Sequence, residues 1–435
     1  MDYQYLKCIS PVDGRYKSKT GDLEQYFSEM SFNKYRVLIE IEYLISLGKL
    51  EVYDDLDEPM IDFLRNIYKN FDFEECIKLK KIEEEINHDV KAVEYYIRGI
   101  LEHKDKSLDM INYIHFGLTS QDINSSSNIL MIKQSISKVL LPKLNEILGN
   151  IKKSILEWSK IPLLAKTHGQ PASPTFLGKE LLVFYERLVI QARKLNGINY
   201  TTKFGGANGN FNAHHMALPN IDWIEFANKF VQIFGLERNQ YTTQIDHYDN
   251  YAEVFDCIRR INVILVDMCQ DIWLYISRNI LVQKVNKKEV GSSTMPHKIN
   301  PINFENAEGN LLIANSMLEF FSRKLPVSRM QRDLTDSTIL RNVGTAFSHT
   351  MIAFTSLLQG LNKLEINEEV MRKELEDNYS VISEGIQTRM KVLGIEGSYE
   401  KMKEITRKNS DSKRELLKFI EKSDFTPEEK KYLKT

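Results

Sequence analysis

Residues 291–301, GSSTMPHKINP, carry side chains that could do acid–base or anion chemistry. Two serines, Ser292 and Ser293, follow a glycine and suit a mobile loop. Asn300, followed by proline, is typical of a helix N-cap with proline at the first helical position, and Lys298 lies two residues before it. A helix N-terminus beside a lysine is a natural anion site. Spacing alone nevertheless favours an ordinary loop before a helix, because such loops are common.

Histidines and hydroxyls elsewhere are further candidates. His168 lies in THGQPASP, a polar turn with two prolines, and an accessible histidine can donate a proton near neutral pH. A lone histidine is more often structural. His88 and Asp89, in NHD, would serve equally well as a polar helix start and a first-turn carboxylate. Thr119 and Ser120, in TSQD, have the pattern of a helix cap.

A scattered set of polar residues has no obvious role by itself, since each arginine alone is typical of a solvated surface. Gln244 has the pattern of a polar residue at a helix start. The rest of this set is Arg15, Tyr16, Arg332, Ser337 and Arg341.

Two other patterns fail as functional motifs. The glycine-rich run 205–210, GGANGN, is not GxGxxG and follows no strand, so a dinucleotide fold is not expected. His214 and His215 are adjacent and cannot both face one ligand on a helix. With no HxxxH or Cys/His cluster, we expect no metal and no other cofactor.

Long amphipathic helices would position these residues. Apolar residues recur every three or four positions over about 249–286, over 129–155 with a kink at Pro142, and over 177–195. Residues 198–212 predict a short hairpin or loop. Helices this long cannot bury their apolar faces in one small domain, so we expect an all-α fold whose central bundle is completed by other subunits. We expect three helical domains, 1–110, 111–360 and 361–435.

Composition narrows the function classes. Of 435 residues, 42% are hydrophobic and 27% charged, which indicates a globular chain and excludes a disordered one. The net charge of −2 gives no basic excess for nucleic acid, so an anionic ligand needs a local cluster of cations. Four cysteines form no CxxC pair, the N-terminus lacks an apolar signal stretch, and no run reaches the ~20 apolar residues of a membrane span. We expect a cytoplasmic protein.

GSSTMPHKINP resembles the GSSxMPxKxNP signature of the fumarase/aspartase superfamily. His297, at the variable position, resembles the adenylosuccinate lyases, whereas fumarases and aspartases typically carry glycine there and argininosuccinate lyases glutamine. The resemblance to the bacterial-type branch of that family reaches about residue 345. It is carried by SPVDGRY (10–16), NHDVKAVEYY (87–96), HFGLTSQD (115–122), KTHGQPASPT (166–175) and QRDLTDSTILRN (331–342).

The resemblance implies roles for these residues. His168 would be the general acid and Ser292 the base, with Ser293 as the rival base or a substrate ligand. Lys298 and His88 would complete the catalytic set. Substrate would be bound by Arg15, Tyr16, Asn87, Asp89, Thr119, Ser120, Gln244, Ser293, Asn300, Asn306, Arg332, Ser337 and Arg341.

The resemblance also implies an activity. The enzyme would release fumarate from adenylosuccinate, giving AMP, and from the succinyl-carboxamide ribotide (SAICAR), giving AICAR, without cofactor, nucleic acid or membrane. It would be a homotetramer with shared active sites. The alternatives are another fumarate-releasing lyase, namely an argininosuccinate lyase or an aspartase, and a catalytically dead helical scaffold.

Overall fold

A computed structural model describes residues 4–284, 298–408 and 412–434. Of these residues 69% are helical, with few short strands, which confirms the all-α prediction. Among the described residues, no helix is long and apolar enough to cross a membrane.

The helices vary from one turn to eight turns. In chain order they are α1 (Lys17–Thr20), α2 (Glu24–Phe27), α3 (Glu29–Gly48), α4 (Glu58–Lys69), α5 (Phe73–Ile86), α6 (Asp89–Lys104), α7 (Ser120–Ser135), α8 (Leu141–Glu157), α9 (Leu177–Asn196), α10 (Asn212–Ala217), α11 (Trp223–Gln232), α12 (Asp249–Ser277), α13 (Ile302–Lys324), α14 (Thr335–Leu340), α15 (Val343–Leu361), α16 (Glu368–Asp377), α17 (Ser383–Val392), α18 (Ser398–Lys408), α19 (Ser412–Lys422) and α20 (Pro427–Lys434).

Within the described part of the chain, the strands form three two-stranded sheets. Strand β1 (Pro162–Thr167) pairs antiparallel with β2 (Gln170–Phe176), and β3 (Thr201–Thr202) pairs parallel with β4 (Glu237–Arg238). Strand β5 (Leu281–Gln283) pairs antiparallel with β6 (Leu364–Ile366). Of the two alternatives predicted for 198–212, a short hairpin or a loop, the structure has the loop: within 198–211 only β3 is regular, and β3 pairs with β4 rather than within the segment.

Two compact units divide the chain. The first comprises residues 1–147, 188–267 and 305–358, and the second 148–187, 268–304 and 359–435. The predicted domain boundaries near 110 and 360 stay a prediction.

Aromatic packing holds the core of the first unit. In the bundle of α12, α13 and α15, Phe255 contacts Phe321 at 5.7 Å and Phe347 at 6.5 Å between ring centroids. Helix α3 begins because Ser28 accepts a hydrogen bond from the amide of Ser31, and most of its apolar residues from Val37 to Leu47 are buried. This helix lies beside α7 and α4, and its residues line part of the cleft that holds the candidate site.

The long-helix predictions are largely confirmed. Helix α9 matches 177–195, and α7 continues through a π-helical turn, Ile136–Leu140, into α8, with Pro142 directly after that turn. Helix α12 ends at Ser277, not near 286. Asn279 takes a left-handed φ of 56°, and Leu281–Gln283 pair with β6, so these residues form a strand instead of continuing the helix.

In the second unit, the THGQPASP segment forms a hairpin, which the sequence did not predict. His168 and Gly169 form its two-residue turn with φ of 53° and 73°, as a type I′ turn requires. The C-terminal helices α17–α20 enclose a small core of their own, made by Ile386, Met390, Met402, Leu416, Ile420 and Phe425.

Candidate active site

A cleft of about 950 Å³ opens in the first unit between α3, α5, α6, α7 and the 332–344 segment. It is large enough for a nucleotide-sized ligand. Seven of the predicted site residues share its wall: Asn87, His88, Asp89, Ser120, Arg332, Ser337 and Arg341. These residues come from three distant parts of the sequence, so the fold brings together what the sequence left scattered.

The NHD segment turns the chain from α5 into α6 at the cleft. Asn87 ends α5 in a left-handed conformation, with φ of 52°. His88 caps α6, because its Nδ1 accepts a hydrogen bond from the amide of Lys91 at 3.1 Å, and its ring stays half exposed. Asp89 is the first helical residue. His88 and Asp89 thus do start α6, and this arrangement leaves the ring of His88 accessible from the cleft.

A buried arginine that the sequence reading missed underlies this segment. Arg36 donates from Nη2 to Asp89 Oδ2 at 2.5 Å, from Nε to Asn124 at 2.9 Å and from Nη1 to Asn33 at 3.0 Å. Burial disfavours the charged form of Asp89, but Arg36 and Arg341 outweigh burial and hold the pKa of this carboxyl below its usual range. The sequence did carry a signal for this buried residue, because two charged side chains, Arg36 and Glu40, interrupt the apolar run of α3 four residues apart.

The two arginines of the segment 332–341 line the same cleft. Arg332 donates to the hydroxyl of Ser337 at 2.9 Å and lies 3.5 Å from Asp336. Arg341 is half exposed and lies 3.2 Å from Glu29 and 3.5 Å from Asp89. Both guanidinium groups are therefore held by neighbours that an incoming anion could replace.

Tyr16 and Asn306 are joined in the first unit. The amide of Asn306 donates to the hydroxyl of Tyr16 at 3.2 Å, and its Oδ1 accepts from Ser356 at 2.7 Å, which in turn accepts from Lys19 at 2.9 Å. Arg15 is exposed beside Tyr16. The polar atoms of Asn306 therefore orient Tyr16, a role that the sequence reading did not distinguish from substrate contact.

Thr119 and Ser120 begin α7, as the TSQD pattern predicted. The amide of Thr119 donates to Asp122 Oδ2 at 2.8 Å, which is one half of a capping box. Gln244 lies half-buried in the loop before α12 and is not on the wall of the cleft.

An ion pair in the HFGLTSQD block was also missed. His115 lies 2.5 Å through Nδ1 from Oε1 of Glu40, whose carboxylate is buried. Burial alone would lower the pKa of His115, but Glu40 outweighs burial and raises it. Glu40 Oε2 has no hydrogen-bond partner among the described residues. The buried carboxylate of Glu40 therefore favours the protonated form of an imidazole four residues before Thr119.

The remaining predicted catalytic residues belong to the second unit or are not described. His168 is exposed at the tip of the β1–β2 hairpin. Lys298 is exposed and Asn300 half-buried. Helix α13 begins at Ile302, so Pro301, not Asn300, directly precedes it. Ser292, Ser293 and His297 lie outside the described residues.

Among the described residues, no group of three or more His, Cys, Asp or Glu side chains could hold a metal ion. His214 is buried against Tyr43, with burial lowering its pKa to about 4, whereas His215 is exposed. The expectation of a reaction without metal or cofactor stays a prediction.

Comparison with known proteins assigns the chain to a family. Residues 14–314 match the family model described as lyase, and residues 328–435 match the model described as adenylosuccinate lyase C-terminal. The C-terminal match covers the region beyond residue 345, where the sequence reading found only general helical character.

Curated relatives match nearly the whole chain. The adenylosuccinate lyase of Dictyostelium discoideum is 49% identical over 94% of this chain and 90% of its own length. That of Escherichia coli (strain K12) is 43% identical over 100% of this chain and 96% of its own length.

Solved structures share the fold at low identity. The β-carboxy-cis,cis-muconate cycloisomerase of Acinetobacter calcoaceticus matches with a TM-score of 0.74 at 16% identity, over 97% of this chain and 95% of that one. The fumarate lyase of a Mesorhizobium species matches with a TM-score of 0.74 at 15% identity, over 92% and 88%. Taken with the relatives and the two family models, these matches show that the chain belongs to the adenylosuccinate lyase family of the fumarase/aspartase superfamily.

Proposed function

We propose that the chain cleaves adenylosuccinate into AMP and fumarate by anti β-elimination. The observation that carries the proposal is the cleft of the first unit, where two arginines, the NHD segment and the start of α7 face one volume of about 950 Å³. The curated relatives in Dictyostelium discoideum and Escherichia coli carry the name of this activity.

The charge of the cleft fits the substrate. Adenylosuccinate carries a phosphate and two carboxylates, about four negative charges near neutral pH. The net charge of the chain is −2, so these charges must be balanced locally. Arg332 and Arg341, with Arg15 and Tyr16, bind the phosphate, since guanidinium groups match phosphate oxygens two at a time. Ser337, already bonded to Arg332, completes this group.

Other residues bind the dicarboxylate part of the substrate. Thr119 and Ser120 bind one succinyl carboxylate at the start of α7, where the N-terminal end of the helix favours an anion. Gln244 and Ser293 contact the succinyl-amine region. Asn87, His88 and Asp89 line the site near the charged groups of the substrate.

The chemical step needs a base, an anion stabiliser and an acid. Ser292 removes the proton from the succinyl carbon next to a carboxylate, and Lys298 and Asn300 stabilise the resulting aci-carboxylate. His168 protonates the departing nitrogen, which releases AMP and then fumarate. The same groups cleave SAICAR to AICAR, because the succinyl-amine unit is the same. The reaction belongs to cytoplasmic purine synthesis.

We also propose that the enzyme is a homotetramer whose subunits share each active site. Large apolar side chains on the long helices of the first unit are about half exposed, among them Ile190, Val263, Leu312, Ile313 and Phe320, between 43% and 52%. Apolar surface on bundle helices favours burial against another copy.

The test of function compares three substrates. Purified chain is incubated with adenylosuccinate, argininosuccinate and aspartate, and fumarate is followed by its absorbance. Release from adenylosuccinate alone supports the proposal. Fumarate release from argininosuccinate or from aspartate would instead identify an argininosuccinate lyase or an aspartase. Release from none of the three would favour a catalytically inactive scaffold.

Subunit sharing has its own test. A Ser292→Ala chain and a His168→Ala chain are each inactive, but mixing them under subunit exchange restores partial activity if both residues reach one site from different subunits. The same mixture without exchange is the control. No recovery after demonstrated exchange contradicts shared sites.

A further inference from the structure

The glycine-rich run 205–210, which is no dinucleotide motif, encloses a buried carboxylate. Asp122 has no exposed surface. Its Oδ1 accepts from the amide of Gly205 at 2.8 Å and of Gly206 at 3.2 Å. Its Oδ2 accepts from Gly206 at 3.1 Å and from the amide of Thr119 at 2.8 Å. One carboxylate thus binds the glycine turn and the start of α7 at the same time.

A buried cation completes this centre. Lys203 has no exposed surface and donates to Asp122 Oδ1 and to the carbonyl of Gly206, each at 2.6 Å. An ion pair with both partners fully buried is costly unless further hydrogen bonds satisfy it, and here three backbone amides and one carbonyl do so. This degree of satisfaction favours one rigid arrangement over alternatives.

The glycines have no room for side chains in this arrangement. A Cβ on Gly206, whose φ is +77°, would lie 3.2 Å from the carbonyl oxygen of Gly117, in the loop that leads to Thr119. A Cβ on Gly209, whose φ is +82°, would overlap the carbonyl oxygen of Thr242. Thr242 lies two residues before Gln244. The turn therefore packs against both segments that carry the proposed succinyl contacts.

We infer that Asp122 and Lys203 are positioning residues that, through the turn at 205–209, set Thr119–Ser120 and Gln244 for the dicarboxylate part of the substrate. This inference rests on the proposed function for the identity of the ligand. Neither side chain reaches the substrate, because both are fully buried. The phosphate-binding arginines have other supports, Glu29, Asp89 and Asp336.

The test uses variants of the whole enzyme that separate positioning from stability. Lys203→Met leaves Asp122 as an uncompensated buried charge and is expected to destabilise the chain. The double variant Asp122→Asn/Lys203→Met removes both charges at similar volume, which should recover most of the melting temperature. Its asparagine has one acceptor oxygen in place of two, so it cannot serve the amides of Thr119 and Gly205 together. Thr350→Val, which loses a buried 3.2 Å bond from Asn262 in the same unit, is the matched control.

Product inhibition gives the readout. In the double variant we expect the inhibition constant of fumarate to rise about tenfold or more, the effect of one lost hydrogen bond to a charged group, while that of AMP stays within about twofold. The Thr350→Val control should change neither constant. Unchanged fumarate inhibition in the double variant, or an equal loss for fumarate and AMP, would overturn the inference.

A second readout does not depend on activity. Hydrogen exchange of peptides covering 117–124 and 240–246 should be at least about tenfold faster in the double variant than in the wild type, with no such change in Thr350→Val. Unchanged protection of both peptides would overturn the inference even if the wild-type chain released no fumarate. A wild type inactive on adenylosuccinate with loosened peptides would instead sink the proposed function alone.

Discussion

Asp89 and Asp122 are both carboxylates in the first turn of a helix beside proposed binding residues, yet their surroundings differ. Asp89 lies on the cleft wall, is 29% exposed at its side chain, pairs with the buried Arg36 on one side, and shares the exposed Arg341 with Glu29 on the other. Asp122 is fully buried, and its partners are Lys203 and backbone amides. An anion entering the cleft can replace Asp89 as the partner of Arg341, whereas nothing can replace Asp122 without unfolding the turn. The site thus combines exchangeable charges that bind with fixed charges that position.

Neither Asp89 nor Asp122 takes part in breaking a bond of the substrate. The largest loss of activity should therefore come from substitutions of the residues that transfer protons. We expect His168→Ala and Ser292→Ala each to lower kcat by about a thousandfold or more, because proton transfer has lost its donor or acceptor. Steady-state kinetics and circular dichroism measure the loss and the intact fold. His103→Ala, at an exposed histidine in the last turn of α6, should match the wild type. Near-normal turnover of Ser292→Ala would show that the base is misassigned.

Single amide substitutions test the contrast between the two aspartates directly. Asp122→Asn should destabilise the chain by roughly 3–5 kcal/mol, since Lys203 becomes a buried unpaired cation. Asp89→Asn should cost less, roughly 1–3 kcal/mol, because the buried Arg36 keeps its bonds to Asn33 and Asn124, and it should chiefly raise KM for adenylosuccinate. Urea unfolding gives the first quantity and initial rates the second. Equal destabilisation by the two substitutions would contradict the distinction.

Glu40 extends the comparison, because it is buried like Asp122 but its partner is a histidine, which titrates nearer neutral pH than a lysine. Glu40 raises the pKa of His115, so the pair stabilises the fold below about pH 6.5, the usual histidine pKa, and this stabilisation is lost as pH rises through the higher pKa of folded His115. We expect Glu40→Gln to lower the melting temperature more at pH 6 than at pH 9, by about 2–4 °C. A larger loss at pH 9 would have the wrong sign.

The smallest effect should come from Glu29, the exchangeable partner of Arg341. Glu29→Gln frees the guanidinium for phosphate, and exposed pairs contribute about 0.2–1 kcal/mol, so KM should fall by less than about fivefold. The screening of such pairs by salt predicts that the difference vanishes near 1 M salt. Glu24→Gln, at an exposed position in the first turn of α2, is the control. A rise in KM would mean that Glu29 orients Arg341 for binding.

The sequence supported the helical fold and many site residues, but for different reasons. Long helices were predictable because apolar residues repeat at helical spacing over many turns, as in α9 and α12. Short strands were not, because two or three residues carry no period; β3 depends on β4, which lies far along the chain. His168 was found through its block, but the hairpin that presents it depends on a turn in which a histidine takes a positive φ.

The missed residues share one physical property. Arg36, Glu40 and Lys203 lie in apolar or glycine-rich stretches, and the sequence does not show which residue each of them pairs with. Their partners, Asp89, His115 and Asp122, are 53 to 81 residues away along the chain. Burial of a charge requires such a partner, so only the folded chain reveals why these side chains are tolerated.

The most direct measurement of the account is kcat/KM for adenylosuccinate and for the same molecule without its phosphate, in the wild type and in Arg341→Ala. If the arginines of the cleft bind the phosphate, removing it costs the wild type about a hundredfold or more, since charged hydrogen bonds contribute about 1.5–3 kcal/mol each. It should cost Arg341→Ala at least about tenfold less, because one partner of the phosphate is already gone. An equal loss in both proteins would contradict the assignment of this cleft to the nucleotide phosphate.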